Sequence, residues 1–354
     1  MSILRVEGIM AKSPSKKGLT YAKSGVNIDL KSKCISALVD QLHDERKGRW
    51  KTVDLPGHFT GLIEFGDYAL SLCTDGVGTK LLIAEELGIW NTVGIDCVAM
   101  NVNDTICVGA EPIAFVDYIA VDKPKPKVLA AVGEGLQRGI AQANAAIVGG
   151  EVAIMPDLVT GLDLSGTCLG AVRMDRIITG QDCRPGDAII GLPSSGIHSN
   201  GMTLARKAVE KSGLTYRSKV KPLRKSIGEE LLTPTTIYVR QVLDIVRNFK
   251  VKGMVNMTGG GLRNFVRLKR GIGFRIDDPM EPNQIFKMIR NLGSISNKEM
   301  YQTFNMGLGF AIIVAKKDAR AVVARTGKGA KVIGKVDDSG AVSVPSLDIE
   351  YSKY

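Results

Sequence analysis

The chain has 354 residues, of which 44% are hydrophobic, 5% are aromatic and 23% are charged. This length suffices for two domains with a substantial core, and no apolar run reaches the length that a transmembrane helix needs. The N-terminus lacks the successive basic, apolar and small-residue regions of a secretory signal. We therefore expect a cytoplasmic protein with no membrane partner.

The formal net charge of +11 raises the question of nucleic-acid binding. However, the basic residues are spread along the chain, aromatic residues are few, and no base-stacking motif is evident. A positive surface suits phosphorylated small molecules equally well. We predict a small-molecule partner and no nucleic acid.

The cysteines form no C-x-x-C pair, which argues against a zinc cluster and against a redox dithiol. Most of them lie in apolar stretches, as small core residues of a protein in a reducing compartment do. The six are Cys34, Cys73, Cys97, Cys107, Cys168 and Cys183.

The first segment, residues 1–18, is basic and contains serine, proline and glycine, which predicts a flexible tail. A first domain is expected over residues 19–178. It opens with a predicted helix that runs through Leu38 and Leu42, for which Asp29 is a plausible N-cap.

A predicted strand at residues 68–73 then runs into an acidic, glycine-rich turn. Gly76 and Gly78 permit a tight bend that brings backbone N–H groups close to a ligand. Asp75 places a hard oxygen ligand at the strand end, and Lys80 adds a cation just beyond it.

A second acidic position, Asp104, follows about thirty residues later, at the end of the sequence Met-Asn-Val-Asn-Asp. Two carboxylates and a lysine near glycine turns suit Mg²⁺ that is held between protein oxygens and nucleotide phosphates. The structural alternative is a pair of ordinary turns in which the aspartates cap helices.

A strand, a helix and a second strand are predicted next, at residues 112–121, 127–141 and 145–150. The second strand is expected to end in Gly149 and Gly150, followed by Glu151. A glutamate at a strand end after paired glycines repeats the pattern of Asp75. Taken alone, Glu151 is more consistent with a turn residue than with a metal ligand.

An Arg-Pro-Gly-Asp turn at residues 184–187 marks the connection to a second domain, expected over residues 179–354. A short apolar strand at residues 187–192 leads into a loop of small and hydroxyl residues at 193–201, and a helix follows. Backbone donors at a strand-to-helix turn can bind an anion. This loop contains His198, although a lone histidine is usually structural.

A helix is predicted at residues 231–246, and a strand at 253–255 precedes the sequence Thr-Gly-Gly-Gly at 258–261. Three glycines that open a helix favour an anion cradle, but they are weak evidence by themselves. Residues 299–309 are also consistent with a packed helix-to-strand junction.

These motifs together resemble the aminoimidazole ribonucleotide synthetase family, also called phosphoribosylformylglycinamidine cyclo-ligase. The resemblance spans about residues 20–335 in one order, which makes chance agreement improbable. It rests on Asp-Gly-Val-Gly-Thr-Lys at 75–80, the segment 94–104 with Gly-Ala-Glu-Pro at 109–112, Ser-Ser-Gly-x-His-Ser-Asn-Gly at 194–201, Thr-Gly-Gly-Gly at 258–261, and Glu-Met-x-x-Thr-Phe-Asn-x-Gly-x-Gly at 299–309.

The resemblance implies an α/β (α+β) protein with two domains, each a mixed β-sheet layered with helices, in the ATP-dependent aminoimidazole ribonucleotide synthetase superfamily fold. It implies a homodimer joined through the N-terminal sheets. The implied reaction is the ATP-dependent cyclisation of formylglycinamidine ribonucleotide to aminoimidazole ribonucleotide, with release of ADP and phosphate, in de novo purine biosynthesis.

The resemblance also implies roles for individual residues. Mg²⁺ is expected at Asp75 and Asp104, with Glu151 as a weaker third ligand, and Lys80 would neutralise charge on the transferred phosphoryl group. Besides Asp75 and Lys80, the expected nucleotide contacts are Gly76, Gly78, Thr79, Asn103, Gly149, Gly150, Thr258, Gly259, Gly260 and Gly261.

His198 and Asn200 are expected to contact the reacting amide or its phosphorylated form. This sequence departs from the family pattern at three places. Ile154 replaces a second family glutamate, residues 55–61 are poor in glycine where the family has a glycine-rich loop over ATP, and Asn256 replaces a histidine. Because an amide cannot transfer protons near neutral pH, His198 is the only motif histidine left.

Several alternatives stay open at this point. Thiamine-phosphate kinase and selenophosphate synthetase resemble this fold distantly and also use ATP. A nucleotide-binding subunit without catalysis would account for the departures from the family pattern. A basic RNA-binding module would require tight, salt-sensitive binding to nucleic acid.

Overall fold

The structure is a computed structural model that describes residues 18–42, 46–55 and 57–352. Within them the chain forms one sheet of six strands and one of seven, each layered with helices. This confirms the predicted fold class of two mixed sheets. The predicted division near residue 178 falls in the connection between the sheets. Apart from Gly18, the predicted tail lies outside the described residues.

The first sheet has the strand order β1-β2-β3-β6-β4-β5. Only β4 and β5 run parallel, and a helix connects them, as a parallel pair requires. The strands are β1 (Thr52–Val53), β2 (Gly61–Phe65), β3 (Tyr68–Gly76), β4 (Glu111–Val121), β5 (Ala146–Ile154) and β6 (Leu162–Arg173).

The helices of this part are α1 (Ile28–Val39), α2 (Lys80–Leu87), α3 (Val93–Thr105) and α4 (Pro126–Ala143). Nearly every residue of α3 is buried, because α3 lies between the sheet and α4. A Cβ atom at Gly94 would collide with the backbone of α4, so glycine permits this close packing. The cap of α1 differs from the prediction, because Oδ1 of Asn27 accepts a hydrogen bond of 3.0 Å from the Leu30 amide.

One segment prediction in the first domain is wrong. The strand before Glu151 does not end there, because β5 continues to Ile154. Asp104 lies in the last turn of α3, which excludes for this residue the structural alternative of an ordinary turn. Helical packing between two apolar layers, rather than a glycine turn, therefore fixes Asp104.

The second sheet has the order β13-β12-β9-β11-β7-β10-β8, and only β12 and β9 pair in parallel. Its strands are β7 (Ala188–Pro193), β8 (Val251–Asn256), β9 (Gly273–Ile276), β10 (Leu308–Val314), β11 (Lys331–Asp337), β12 (Val342–Val344) and β13 (Ile349–Tyr351). The α-helices are α5 (Met202–Ser212), α6 (Ile227–Leu231), α7 (Val239–Asn248), α8 (Gln284–Gly293), α9 (Asn297–Thr303) and α10 (Ala319–Thr326).

The helix predicted over residues 231–246 begins too early: α6 ends at Leu231, residues 232–238 are irregular, and α7 begins at Val239. Pro234 lacks an amide hydrogen and disfavours a helical residue before it. Backbone groups of this stretch bond instead to side chains of the first domain, such as Asn103. The stretch therefore connects the two domains.

One end of the second sheet carries three loops, those after β7 and β8 and the one before β10, because β10 runs antiparallel to both neighbours. That end of the sheet faces α2 and α3 of the first domain. One continuous apolar core includes residues of both domains. No helix in the described part of the chain is long and apolar enough to cross a membrane.

Candidate active site

Two aspartates lie on one row of the first sheet. Asp75 on β3 and Asp117 on β4 pair with the same residue of β6, Gly166, from opposite sides. Cross-strand partners project from the same face, so both carboxylates point toward the helix layer. Burial and the charges of these carboxylates raise the pKa of Cys97 on α3. A Cβ atom at Gly166 would collide with the Phe115 ring, so glycine is required between the two acids.

Asp104 contributes a third carboxylate from α3, and its Oδ1 accepts a hydrogen bond of 2.8 Å from Nδ2 of Asn256. Burial raises the pKa of Asp104 to about 7; Asn256 opposes the increase, the nearby Asp75 adds to it, and Arg267 opposes it. Burial also raises the pKa of Asp75. Because Asp75 hinders the ionisation of Asp104, the two carboxylates form a favourable place for a cation.

Asp75 and Asp104 fit a Mg²⁺ ion, because their oxygens are hard ligands and a divalent cation would relieve their repulsion. Within the described ranges, no three His, Cys, Asp or Glu side chains are grouped so as to hold a metal. Mg²⁺ commonly binds one or two carboxylates and completes its coordination with water and phosphate oxygens. A pair of carboxylates therefore matches an ion that arrives with a nucleotide.

The turn after β3 brings its predicted residues beside this pair. The amide of Gly76 donates a hydrogen bond of 2.8 Å to Oδ1 of Asp75, which orients the carboxylate. Gly78 has a φ of 68°, a left-handed conformation that favours glycine. The Thr79 hydroxyl lies 3.1 Å from that of Thr203 on α5, so this turn also contacts the second domain.

Arg267 fixes the glycine-poor segment before β2 against the second domain. Its Nε donates to the Gly57 carbonyl at 2.9 Å, its Nη2 donates to the His58 carbonyl at 2.8 Å, and its guanidinium carbon lies 4.2 Å from the centre of the Phe59 ring. Burial, and secondarily Arg267, lower the pKa of His58 to about 4. Three contacts from one arginine thus hold the segment where the family has a glycine-rich loop.

The triglycine loop, which we define as residues 258–261, lies beside a predicted catalytic residue. A Cβ atom at Gly259 would lie 3.1 Å from Oδ1 of Asn200. Gly260 and Gly261 have φ values of 110° and 51°, so both adopt left-handed conformations. The helix that follows is a 3₁₀ helix of seven residues rather than the predicted α-helix. Its dipole is correspondingly short, and the Thr258 and Gly261 amides already donate to the carbonyls of Asn256 and Thr258, both at 3.1 Å.

Thr258 is fixed within this loop. Its hydroxyl lies 3.5 Å from Oδ1 of Asn264, whose Nδ2 donates to the Thr258 and Gly261 carbonyls. Asn264 is fully buried. The loop is therefore held from within by one amide side chain.

Lys80 lies in an environment different from the predicted one. Its ammonium group is fully buried, lies 2.8 Å from Oδ2 of Asp96, and donates to the carbonyls of His198 and Thr233 at 3.2 and 2.8 Å. An ammonium group has three hydrogens, and these three partners use them all. The structure therefore does not support the prediction that Lys80 neutralises a phosphoryl group.

His198 is also buried, with 3% of its surface exposed and a φ of 64°. Its Nε2 accepts hydrogen bonds from the amides of Ser195 and Thr236, at 3.3 and 3.5 Å. Burial, and secondarily Lys80, lower the pKa of His198 to about 3. The imidazole is thus neutral and holds two loops, an arrangement that does not favour direct contact with the reacting amide.

Asn103 occupies a structural position as well. Its Nδ2 donates to the Thr236 carbonyl at 2.8 Å, and its Oδ1 accepts from the Tyr238 amide at 3.0 Å. Only 1% of its surface is exposed. The structure therefore assigns Asn103 to the contact between the domains and not to a nucleotide.

Glu151 is not brought to Asp75. It pairs with Tyr118 on β4, whose side chain projects from the face opposite to that of Asp117. We therefore exclude Glu151 as a metal ligand within one chain. Gly150 remains near the site, because a Cβ atom there would collide with the Asp117 carboxylate, whereas Gly149 lies on the outer face.

Three residues of the site were not predicted as site residues from the sequence: Asp117, Asp96 and Arg267. Asp117 could have been found, because it occupies an inward position of an alternating strand where an apolar residue is expected. Asp96 gives a similar signal, as a charged residue within an otherwise apolar helix. Arg267 gave no signal, since its partners are carbonyl groups distant in sequence.

Comparison with known proteins identifies the family. Residues 57–172 match the family described as AIR synthase related protein, N-terminal domain, and residues 184–345 match its C-terminal domain. Phosphoribosylformylglycinamidine cyclo-ligase of Methanosarcina acetivorans is 48% identical over 337 residues, which cover 95% of this chain and 100% of that protein. The protein of the same name from Methanococcus maripaludis is 47% identical and covers 94% of this chain and 98% of its own length.

Solved structures with low identity share the fold. The structure described as AaThiL complexed with AMPPCP and TMP has a TM-score of 0.61 at 17% identity, covering 90% of this chain and 92% of its own. Thermotoga maritima PurL complexed with FGAR has a TM-score of 0.57 at 16% identity, covering 86% of this chain and 47% of its own. The matches over both domains confirm the predicted family: this chain belongs to the AIR synthase family, among the phosphoribosylformylglycinamidine cyclo-ligases, which are ligases of purine biosynthesis.

Proposed function

We propose that this chain cyclises formylglycinamidine ribonucleotide to aminoimidazole ribonucleotide, with ATP converted to ADP and phosphate. The observation that carries the proposal is the match to cyclo-ligases over 95% of this chain and the full length of the relative. The acids at the domain junction and the adjacent triglycine loop are the chemical groups that such a reaction needs.

The chemistry follows from the substrate. An amide oxygen is a poor leaving group, so it first attacks the γ-phosphorus of ATP and ADP departs. The amidine nitrogen then attacks the carbon of the activated amide, phosphate leaves with the former amide oxygen, and loss of a proton completes the aromatic ring. Holding both ends of one substrate makes the ring closure intramolecular, which supplies a large rate advantage.

Asp75 and Asp104 would hold Mg²⁺, which supplies charge neutralisation on the nucleotide phosphates when bound. Asp117 lies one strand beyond Gly166 and would bind water or a polar group of the substrate. The triglycine loop has no side chains at residues 259–261 and would allow a phosphate to approach closely, with Asn200 beside it to hydrogen-bond the amide of the substrate.

His198 and Lys80 would act through position. His198 holds the Ser195 and Thr236 amides, and Lys80 holds the His198 carbonyl and the stretch at 232–238. Both therefore support the arrangement of Asn200 and the triglycine loop opposite α3. Neither group exchanges protons with the substrate in this proposal.

We further propose a homodimer formed through the outer face of the first sheet. Leu72, Val116 and Tyr118 project from that face and are between 37% and 53% exposed. Apolar residues exposed on several strands of one sheet face are typical of a surface that a partner covers. A second copy of the chain presents the same apolar surface, as a two-fold interface requires. We also propose that the protein works in the cytoplasm.

The test is consumption of ATP by the purified chain with Mg²⁺ and one candidate substrate at a time. We expect consumption with formylglycinamidine ribonucleotide, with ADP and free phosphate as products, and none with thiamine phosphate or selenide. Consumption of ATP only with one of the latter would favour a different phosphotransferase of this fold, and a kinase would form ADP without free phosphate. The absence of consumption with all three would favour a nucleotide-binding subunit without catalysis.

A further inference from the structure

A cavity of about 280 Å³ lies in the second domain, between α8, α9 and the loop after β9. Its walls are largely apolar and include Met280, Phe286 and Met306. None of the residues proposed for catalysis or nucleotide binding lines it. The cavity is therefore a separate compartment, and its size suits a small molecule.

One cation in this cavity has no anionic partner. Lys287 and Glu281 form an ion pair of 2.5 Å and neutralise each other. Arg290 donates a hydrogen bond of 3.1 Å to Oδ1 of Asn297 and pairs with no carboxylate among the described residues. The charged residues of the lining thus leave one net positive charge, and a guanidinium has further N–H donors to offer.

Tyr301 adds a second polar group to the lining of the cavity. Only 7% of its surface is exposed. Burial and the charge of Glu281 raise the pKa of Tyr301, and Arg290 opposes this. The hydroxyl oxygen is not itself buried, so it is open to a hydrogen bond with a ligand in the cavity.

We propose that this cavity binds a small organic anion, whose phosphate or carboxylate group contacts Arg290 and the Tyr301 hydroxyl. An apolar body would lie against Met280, Phe286 and Met306. A guanidinium binds either acidic group through two parallel hydrogen bonds, so the headgroup chemistry is shared. This site is distinct from the proposed active site and does not depend on the proposed reaction.

Methionine methyl groups report directly on this proposal. In the full chain with ¹³C-labelled methionine methyls, phenyl phosphate or benzoate should shift the signals of Met280 and Met306. Met100 and Met257, which lie beside the proposed active site, should not shift with benzoate and report separately any binding of phenyl phosphate at that site. The neutral analogue benzyl alcohol should bind at least about tenfold more weakly, because it lacks the charge-assisted hydrogen bonds. Comparison of the two anions identifies the preferred headgroup.

Variants test the two polar contacts. Arg290→Gln should weaken anion binding by about tenfold or more, and Tyr301→Phe by a smaller factor. Arg320→Gln, which removes an exposed arginine of α10, is the control of equal charge and should bind like the wild type. Shifts at Met257 without shifts at Met306, equal binding of benzyl alcohol, or unchanged binding by Arg290→Gln would each overturn the proposal. If Arg290→Gln fails to fold, the analogue comparison and Tyr301→Phe still decide.

Discussion

Lys80 and Asp96 form an ion pair of 2.8 Å in which both side chains are fully buried. The pair joins the start of α2 to α3, and its remaining hydrogen bonds reach the second domain. Lys80 donates to the His198 and Thr233 carbonyls, and Asp96 accepts from the amide and hydroxyl of Thr235 at 2.8 and 2.6 Å. One ion pair thus links the two halves of the proposed active site.

Replacement of Lys80 tests this link. Lys80→Met should lower the free energy of unfolding by about 3–5 kcal/mol, because Asp96 would remain as a buried charge without a cation. The exposed pair of Lys207 and Glu210 provides the control, since Lys207→Met should change it by less than about 1 kcal/mol. Both values can be measured by urea denaturation. Unchanged stability of Lys80→Met together with lost ADP formation would instead favour a role at the phosphoryl group.

Asp75 and Glu151 lie on opposite faces of the first sheet, so their replacement should have opposite effects on activity. Asp75→Asn should abolish ADP formation with the fold intact, because the proposed Mg²⁺ site loses a charged ligand. Glu151→Gln should retain activity within about threefold, since Glu151 lies on the other face. Steady-state ADP release measures both. An active Asp75→Asn enzyme would remove Asp75 from the metal site, and an inactive Glu151→Gln enzyme would return Glu151 to it.

The buried histidines predict a dependence of stability on pH. The pKa values of His58 and His198 are lowered to about 4 and about 3 in the folded chain. The two neutral histidines contribute fully to the free energy of unfolding above pH 6.5, which is about their pKa in the unfolded chain. This contribution is lost as the pH falls from there toward the lowered pKa values, because in that range only the unfolded chain binds the protons. His198 alone should account for about 2 kcal/mol between pH 7 and pH 5.

The free energy of unfolding, measured at pH 7 and pH 5 in wild type and in His198→Gln, isolates the contribution of His198. The variant should show the smaller pH dependence, and His58→Gln should behave alike. If the NMR signal that disappears in His198→Gln titrates near pH 6.5 in the folded wild type, the buried, neutral assignment of His198 is contradicted. In that case a direct acid–base role for His198 would become the better account.

The exposed apolar face predicts dimerisation. Leu72→Glu should convert the dimer into monomers at micromolar concentration, because a charge would be buried at the interface. Val332→Glu changes a similarly exposed apolar residue of the second domain and should leave the dimer intact. Sedimentation velocity measures both. A wild-type chain that sediments as a monomer would contradict the proposed interface.

The resemblance to a known family implied the layered two-domain fold, whereas apolar alternation and turn residues, which are local signals, predicted individual strands and helices. These local signals failed at residues 231–246, where the helical pattern continues through a stretch that is irregular. There the partners are side chains of the other domain, such as Asn103, and no local pattern reveals them. Tertiary contacts override local preference in that stretch.

The candidate site was also predicted only in part, because the direction of a side chain depends on tertiary contacts. Asp75, Asp104, Asn200 and the triglycine loop meet at the domain junction, as motif chemistry suggested. Lys80 belongs to the same motif, but its long side chain turns into the core and binds Asp96. A motif identifies which residues matter, whereas the direction of each side chain depends on packing that the sequence does not display.

In the proposed reaction, the two carboxylates and the triglycine loop serve ring closure of an activated amide. The most direct test is the detection of aminoimidazole ribonucleotide by mass spectrometry after incubation of the purified chain with formylglycinamidine ribonucleotide, ATP and Mg²⁺. We predict one aminoimidazole ribonucleotide for each ADP and phosphate released. Folded protein that consumes ATP without forming this product, or that forms no product, would contradict the claim.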